Sequence, residues 1–237
     1  MFQVRYKKEN QWCPKNLTFE KFFQSSAMYN LPYFKEKDPK AILAFMKQHS
    51  FAMLIGSKDG FPVATQVPFL IEEREGRLFL QGHIMRNTDH HKAFEANPNA
   101  LCVFTGPHAY VSASWYTAPQ NASTWNYMSV HARGNVLFVD EEDLVAILEK
   151  TTKYYENNDQ SPASFHHLPK EYVEKLSKAI VGIEIEVQAL DHVFKLSQNR
   201  DQISYTNIIT QLEKGDGEAK GVAEEMKQRQ QSLFNPS

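Results

Sequence analysis

The chain lacks the features that define several large classes of protein. Only two of its 237 residues are cysteine, Cys13 and Cys102, which excludes a disulfide-stapled fold and a cysteine-rich metal centre. No apolar run approaches the ~20 residues of a membrane-spanning helix, and residues 1–10 have no apolar core typical of a secretory signal. Basic and acidic side chains nearly balance, 26 against 28, so nothing attracts the chain generally to nucleic acid or anionic membranes. We expect a cytoplasmic protein without a membrane partner.

The sequence also lacks the common catalytic signatures. It contains no G-x-G-x-x-G after a strand, no P-loop, no G-x-S-x-G and no H-E-x-x-H. Cys102 lies within an apolar strand-like run and is expected to be a buried, inert thiol. The adjacent pairs His90-His91 and His166-His167 point in different directions on a helix, so we expect no metal site.

What the chain does have is the composition of a globular protein, with 42% hydrophobic and 23% charged residues. Asp38-Pro39 predicts a helix start, while Asp59-Gly60, Glu75-Gly76 and Gly106-Pro107 predict turns between strands. Residues 63–71 are predicted to form one return strand, with Pro68 marking an edge or bulge. Strict alternation over residues 183–188 indicates a half-buried strand.

Strands joined by short turns, with helices at the periphery, predict an α+β fold in which an antiparallel sheet closes into a barrel. Two terminal helices are expected over residues 201–212 and 218–232. They superficially resemble a helix–turn–helix, but the second carries Glu218, Glu224 and Glu225 beside its basic residues. Direct DNA binding is therefore doubtful, and a packed or dimer-lining helical pair is favoured.

The segment around residues 82–88 has the residue types of a phosphate site. A strand ending at His83 is followed by Arg86, Asn87 and Thr88 before a helix, so a guanidinium and free backbone N–H groups meet at a helix N-terminus. An ordinary capped helix with a surface arginine fits this segment equally well.

Two further regions have residue types that suit a planar, anionic ligand. Flat rings edged by polar groups can hold a heterocycle, although the same rings could simply fill a barrel end; these residues are Ser114, Trp115, Tyr116 and Trp125. Behind a predicted strand, Lys195, Ser197 and Asn199 supply a cation, a hydroxyl and an amide, and Lys195 and Ser197 share a face if the strand continues. A solvated strand end is the alternative there.

Taken in order, these stretches resemble the PaiB-type family of bacterial FMN-binding-domain negative transcriptional regulators. The resemblance extends from about residue 28 to 212 and is carried by Met28-Tyr29 with Pro32, Gly82-His83 with Arg86-Asn87, Phe104 to Tyr110, Ser114-Trp115-Tyr116, Thr124 to Tyr127, Ile180 to Glu184, and Lys195 to Arg200. The chain departs from the family at Met85, where Ala is common, and at Thr88 and Ala113, where Pro is common.

The resemblance implies a six-stranded Greek-key split β-barrel, dimeric, with FMN at the dimer interface. It divides the chain into an extension over 1–27, the FMN-binding barrel over 28–213 and a C-terminal helix and tail over 214–237. Arg86, Lys195 and Ser197 are assigned to the phosphate with Asn87 and Thr88 assisting, Trp115, Tyr116 and Trp125 to the walls of the ring, and His83, Ser114 and Asn199 to its polar edge.

Three functions follow as hypotheses from this resemblance. The first is flavin binding, and the second is negative regulation of transcription through a flavin-sensed redox state or a partner protein. The third is catalysis, either by a flavin reductase or oxidase or by a haem-degrading enzyme with a histidine ligand. No acid–base pair or nucleophile is evident, so any chemistry would be that of the cofactor.

Overall fold

The computed structural model describes residues 31–118, 120–158 and 160–235, so the predicted N-terminal extension over 1–27 lies outside the described residues. The helices are α1 Pro39–Gln48, α2 Asp89–Ala96, α3 Glu141–Glu156, α4 Lys170–Ser177, α5 Gln202–Leu212 and α6 Gly217–Phe234. The strands are β1 Phe51–Lys58, β2 Phe61–Pro68, β3 Leu70–Arg74, β4 Arg77–Met85, β5 Asn99–Val111, β6 Thr124–Phe138 and β7 Ile180–Lys195.

Short polar side chains start five of the helices. The predicted start at Asp38-Pro39 is confirmed, because the Asp38 carboxylate accepts the Lys40 N–H at 2.9 Å and Pro39 is the first residue of α1. The side chains of Thr88, Asp140, Asp201 and Asp216 accept backbone N–H groups in the same way at α2, α3, α5 and α6. Local chemistry therefore sets where these helices begin.

The seven strands of the described residues belong to one antiparallel sheet in the order β2-β1-β5-β6-β7-β4-β3. The α+β class is as predicted, but the strand number differs from the six that the resemblance implies. The expected single strand over 63–71 is in fact two: β2 ends at Pro68 and pairs with β1, whereas β3 begins at Leu70 and pairs with β4. Between them the Phe69 N–H donates to the Ser50 carbonyl at 2.9 Å, which turns the chain from one sheet edge to the other.

The two edges of the sheet approach each other. Val67 on β2 lies so close to Gly82 on β4 that a Cβ at Gly82 would be 2.7 Å from its Cγ1 atom. These strands are far apart in the strand order, so the contact requires strong curvature of the sheet. The buried core fills the concave side, and its largest members include Phe69, Phe104 and Phe194.

The predicted turn at Gly106-Pro107 is wrong. Residues 99–111 form one strand that pairs with β6 on both sides of this position, and the register shifts by one residue between Thr105 and His108. The dipeptide is therefore a β-bulge, which tolerates a proline because the extra residue has no partner for its N–H.

The predicted terminal helices are confirmed as α5 and α6. The second of these buries Val222, Ala223 and Met226 in the core and packs against β5 and α5. In the described ranges, no helix has both the length and the apolar character needed to cross a membrane.

Candidate functional site

The corner between β4 and α2 holds four of the predicted site residues. The Arg86 N–H donates to the Ala179 carbonyl at 2.9 Å, and Arg86 is exposed. Asn87 has a left-handed backbone (φ 62°), a conformation that asparagine adopts readily, and its N–H donates to His91 Nδ1 at 3.2 Å. Thr88 Oγ1 donates to the Met85 carbonyl at 2.8 Å and caps α2.

His83 lies two residues before the end of β4, where it pairs with Gly182 of β7. Burial lowers the pKa of its imidazole below the usual value of 6.5. The ring is therefore neutral near pH 7 and presents one donor and one acceptor, as contact with the polar edge of a heterocycle would need.

Arg86 also borders a cavity of about 370 Å³. The opposite wall contains Ser177 and Lys178 from the end of α4, and Asp140 and Glu141 from the start of α3. Two basic and two acidic residues line this space, so its formal charge is balanced. Lys195 does not line it.

The second group of predicted residues meets where β5, β6 and β7 end. Lys195 Nζ donates to the Trp125 carbonyl at 2.7 Å and also to Thr124 Oγ1, so the ammonium ties the end of β7 to the start of β6. Burial, together with the positive charge of Arg200, lowers its pKa. A lysine that is partly desolvated beside a second cation favours an anionic ligand, because that ligand would restore charge balance.

Ser197 does not point to the same place as Lys195. It has a left-handed backbone (φ 62°) and a buried side chain, and its hydroxyl donates to Asn126 Oδ1 at 3.0 Å. The predicted shared face of Lys195 and Ser197 is therefore absent, because β7 stops at Lys195. Asn199 is exposed in the turn that follows.

Aromatic rings surround this end of the sheet. The Trp125 side chain is 53% exposed and lies 6.1 Å from Tyr110 and 5.9 Å from His108, measured between ring centroids. Trp115 is partly buried against the core, and its carbonyl accepts Asn207 Nδ2 at 3.2 Å. Ser114 is exposed, and its hydroxyl is 2.9 Å from that of Ser112.

Tyr116 has the least satisfied polar atom of this group. Its hydroxyl is buried and has no hydrogen-bond partner in the described part of the chain. The Arg200 guanidinium lies 4.0 Å from the centre of its ring and donates to Asn121 Oδ1 at 2.9 Å. Arg200 therefore belongs to the same cluster as Tyr116.

Within one chain, the two groups are far apart. Arg86 follows Met85, which pairs with Ile180 at the start of β7, whereas Lys195 ends that strand. At about 3.3 Å per residue, these 16 residues extend roughly 50 Å along the strand. Within one protomer, Arg86 and Lys195 therefore lie beside opposite ends of β7.

Sequence reasoning did not assign Arg200 and Tyr110 to the site. Arg200 stands in the same short run as Lys195 and Asn199, so its charge was a usable signal. Tyr110 faces Trp125 only because β5 and β6 pair at Tyr110↔Trp125, which no local pattern reveals. Among the described residues, no group of three or more His, Cys, Asp or Glu side chains is placed to hold a metal ion.

Comparison with known proteins places the chain in a family. A family model described as "Putative FMN-binding domain" matches residues 28–189, and the chain belongs to this family. Protease synthase and sporulation protein PAI 2 of Bacillus subtilis is 33% identical over 203 residues, which cover 85% of this chain and 98% of that protein. The uncharacterized protein AN0679 of Emericella nidulans is 28% identical over 187 residues, or 63% of this chain and 74% of that one. The resemblance to the PaiB type is confirmed.

Solved structures share the fold at low sequence identity. The FAD and heme binding protein of Mycobacterium smegmatis superposes with a TM-score of 0.50 and 14% identity, over 68% of this chain and 72% of that chain. The conserved hypothetical protein Rv2991 of Mycobacterium tuberculosis also gives 0.50, at 13% identity, over 71% and 91%.

The residues present fit a phosphorylated flavin. Exposed Arg86 at one corner, and Lys195 with Arg200 at the other, supply cations for a phosphate. The exposed Trp125 indole offers a flat apolar surface, and the buried Tyr116 hydroxyl still lacks a partner. The donor set and the family assignment therefore agree on a flavin as the ligand class.

Proposed function

We propose that this protein binds FMN between two copies of itself, with each site made from both protomers. The β4–α2 corner of one protomer (His83, Arg86, Asn87 and Thr88) faces the loop cluster of its partner (Ser114, Trp115, Tyr116, Trp125, Lys195, Ser197, Asn199 and Arg200). The observation that carries the proposal is the position of Arg86 and Lys195 at opposite ends of β7. A two-fold axis can bring unlike ends of two chains together.

The outward face of β1 supports an association of this kind. Phe51 and Met53 are 63% and 41% exposed and alternate with the buried Ala52 and Leu54. Large apolar side chains grouped on one sheet face are typical of a protein–protein contact, and a second copy would cover them.

In such a site the protein's residues have distinct tasks. Arg86 and Lys195 neutralise the phosphate, with Asn87 and Thr88 beside it, while Ser197 holds the end of β7 in place through Asn126. Trp125, Trp115 and Tyr116 enclose the ring, and neutral His83 with Ser114 and Asn199 contacts its polar edge. FMN, when bound, supplies one- and two-electron transfer.

Flavin fluorescence tests binding directly. Titration of the full chain into FMN should quench the emission with a micromolar dissociation constant. Arg86→Ala and Lys195→Met should each weaken binding by about tenfold or more, because each removes a charge-assisted hydrogen bond. Lys40→Gln changes an exposed lysine in the first turn of α1 and serves as the control. Absence of quenching by the unaltered chain would contradict the proposal.

Mixing the two weak variants tests whether the site is shared. If Arg86→Ala and Lys195→Met protomers exchange freely, half of the dimers are mixed and each of these has one intact site, so about a quarter of the sites recover. If one chain supplied the whole site, mixing would restore nothing. Melting temperatures of both variants establish that they remain folded.

We also propose that any effect on transcription depends on flavin or on a partner protein in the cytoplasm and not on direct reading of DNA. Two of the three basic residues of α6 are engaged: Lys227 pairs with Glu213, and Arg229 pairs with Glu225. The same helix buries Val222, Ala223 and Met226 in the core. Sequence-specific retardation of DNA at physiological salt, with or without FMN, would contradict this proposal.

A further inference from the structure

A cavity of about 400 Å³ lies away from both groups of candidate flavin residues. It opens between the end of α1, the β2–β3 junction and the second half of α3. Its lining is half apolar or aromatic, from Phe69, Leu70, Ile71 and Tyr154, and half polar, from Lys47, Ser50, Glu72 and Lys150. This volume and this mixture of residues are those of small-molecule sites.

The walls of this cavity are held in place by hydrogen bonds. The Phe69 N–H donates to the Ser50 carbonyl at 2.9 Å, which fixes the floor to the end of α1. The Ser50 hydroxyl is 2.9 Å from the Tyr155 hydroxyl, which fixes the α3 wall to the same residue. Because both sides of the cavity are already fixed, the protein loses little conformational entropy when a ligand enters.

The charges around the cavity favour an anion. Lys150 Nζ lies 2.8 Å from Glu72 Oε1, so these two lining residues compensate each other. Lys47 has no ion-pair partner among the described residues and leaves one positive charge in excess. The apolar floor and Tyr154 can accommodate a hydrocarbon body, while Lys47 attracts a single negative group.

We propose that this cavity binds a small apolar organic acid, with its ring or chain on Leu70, Ile71 and Tyr154 and its carboxylate toward Lys47. The site is separate from the proposed flavin site and does not depend on it. The Lys150–Glu72 pair forms part of the rim and excludes a second carboxylate. The ligand class is therefore a monocarboxylate.

Binding can be measured with 1-naphthoate and its neutral analogue 1-naphthalenemethanol, by saturation-transfer NMR on the full chain. Both should bind, because they share the ring. The acid should bind about two- to fivefold more tightly at low salt, the range for one partly exposed ion pair. High salt should remove the difference.

Matched variants separate the contribution of the Lys47 charge from that of the Tyr154 ring. Lys47→Gln should remove the preference for the acid, whereas Lys40→Gln, on the same helix but outside the cavity, should keep it. Tyr154→Ala should weaken both probes equally, and its exposed side chain can be removed without unfolding the protein. Failure of both probes to bind, equal binding of acid and alcohol, or a preference that survives Lys47→Gln would each overturn the proposal. Unchanged FMN binding in these variants would show that the two sites are separate.

Discussion

Ser197 is a candidate site residue whose side chain is engaged inside the protein. Its backbone is left-handed (φ 62°), and its hydroxyl donates to Asn126 Oδ1 at 3.0 Å in the interior. Asn126 also donates to Met226 Sδ at 3.4 Å, so this contact joins β7, β6 and α6. Sequence reasoning placed Ser197 at a phosphate, but the structure gives its hydroxyl a partner inside the protein.

Two replacements of Ser197 separate the contribution of its hydrogen bond from that of its left-handed backbone. Ser197→Ala should lower the free energy of unfolding by about 1–3 kcal/mol, because Asn126 Oδ1 is left buried without this donor. Ser197→Gly loses the same hydrogen bond but adopts φ 62° without strain, so it should be the more stable variant of the two. Urea unfolding of both variants measures the difference. If Ser197→Ala were the more stable, the backbone argument would be wrong.

At the scale of elements, the pairing of β6 with β7 depends on Gly134. The register shifts between Arg133 and Gly134, and a Cβ at Gly134 would lie 2.2 Å from the Glu186 carbonyl oxygen. That atom belongs to the backbone of the neighbouring strand and cannot move aside alone. The close approach is possible only because the side chain is absent.

Gly134→Ala should therefore destabilise the protein by about 1–3 kcal/mol, as overpacking does in cores. Gly217→Ala is the matched control, since a Cβ there meets nothing within 4 Å and the position starts α6. It should be neutral or slightly stabilising. Thermal melts of the two variants provide the comparison, and equal melting temperatures would contradict the steric argument.

Elements also differ in how well local sequence predicts them. The turns Asp59-Gly60 and Glu75-Gly76 were predicted correctly. Both residues of each turn have positive φ, and a glycine at the second position is a local sequence signal for such a turn. Gly106-Pro107 has similar composition but forms a bulge, because β6 pairs with the chain on both sides of it. The partner strand, more than fifteen residues away, decides between the two outcomes.

For the whole molecule, partly buried histidines set the response to acid. Burial lowers the pKa of His49, His83, His91, His131 and His192. Below pH 6.5 the unfolded chain binds protons that the folded chain does not, so the free energy of unfolding falls as pH decreases. Each histidine whose pKa is lowered adds to this loss.

We therefore expect the urea midpoint to be flat from pH 8 to 7 and to fall between pH 6.5 and 5.5. Asp201 contributes little in this window, since hydrogen bonds from Ser204 lower the pKa of its carboxyl to about 2. Its effect on stability belongs to more acidic conditions. A midpoint that stays constant or rises on going to pH 5.5 would contradict the burial of these rings.

The sequence by itself determined what depends on neighbours within a few residues. Asp38, Thr88 and Asp140 mark helix starts because a side-chain oxygen reaches an N–H two or three residues on. The ordered motifs from Met28 to Arg200 were sufficient to identify the family. The helix starts depend on residues close in sequence, and the family resemblance is the sum of short motifs along the chain.

Only the tertiary structure decided what depends on pairing between distant segments. It divided residues 63–71 between two sheet edges, placed Tyr110 beside Trp125, and set Arg86 and Lys195 at opposite ends of β7. Strand order and register follow from burying one face of the whole sheet, a condition that no short window of sequence contains.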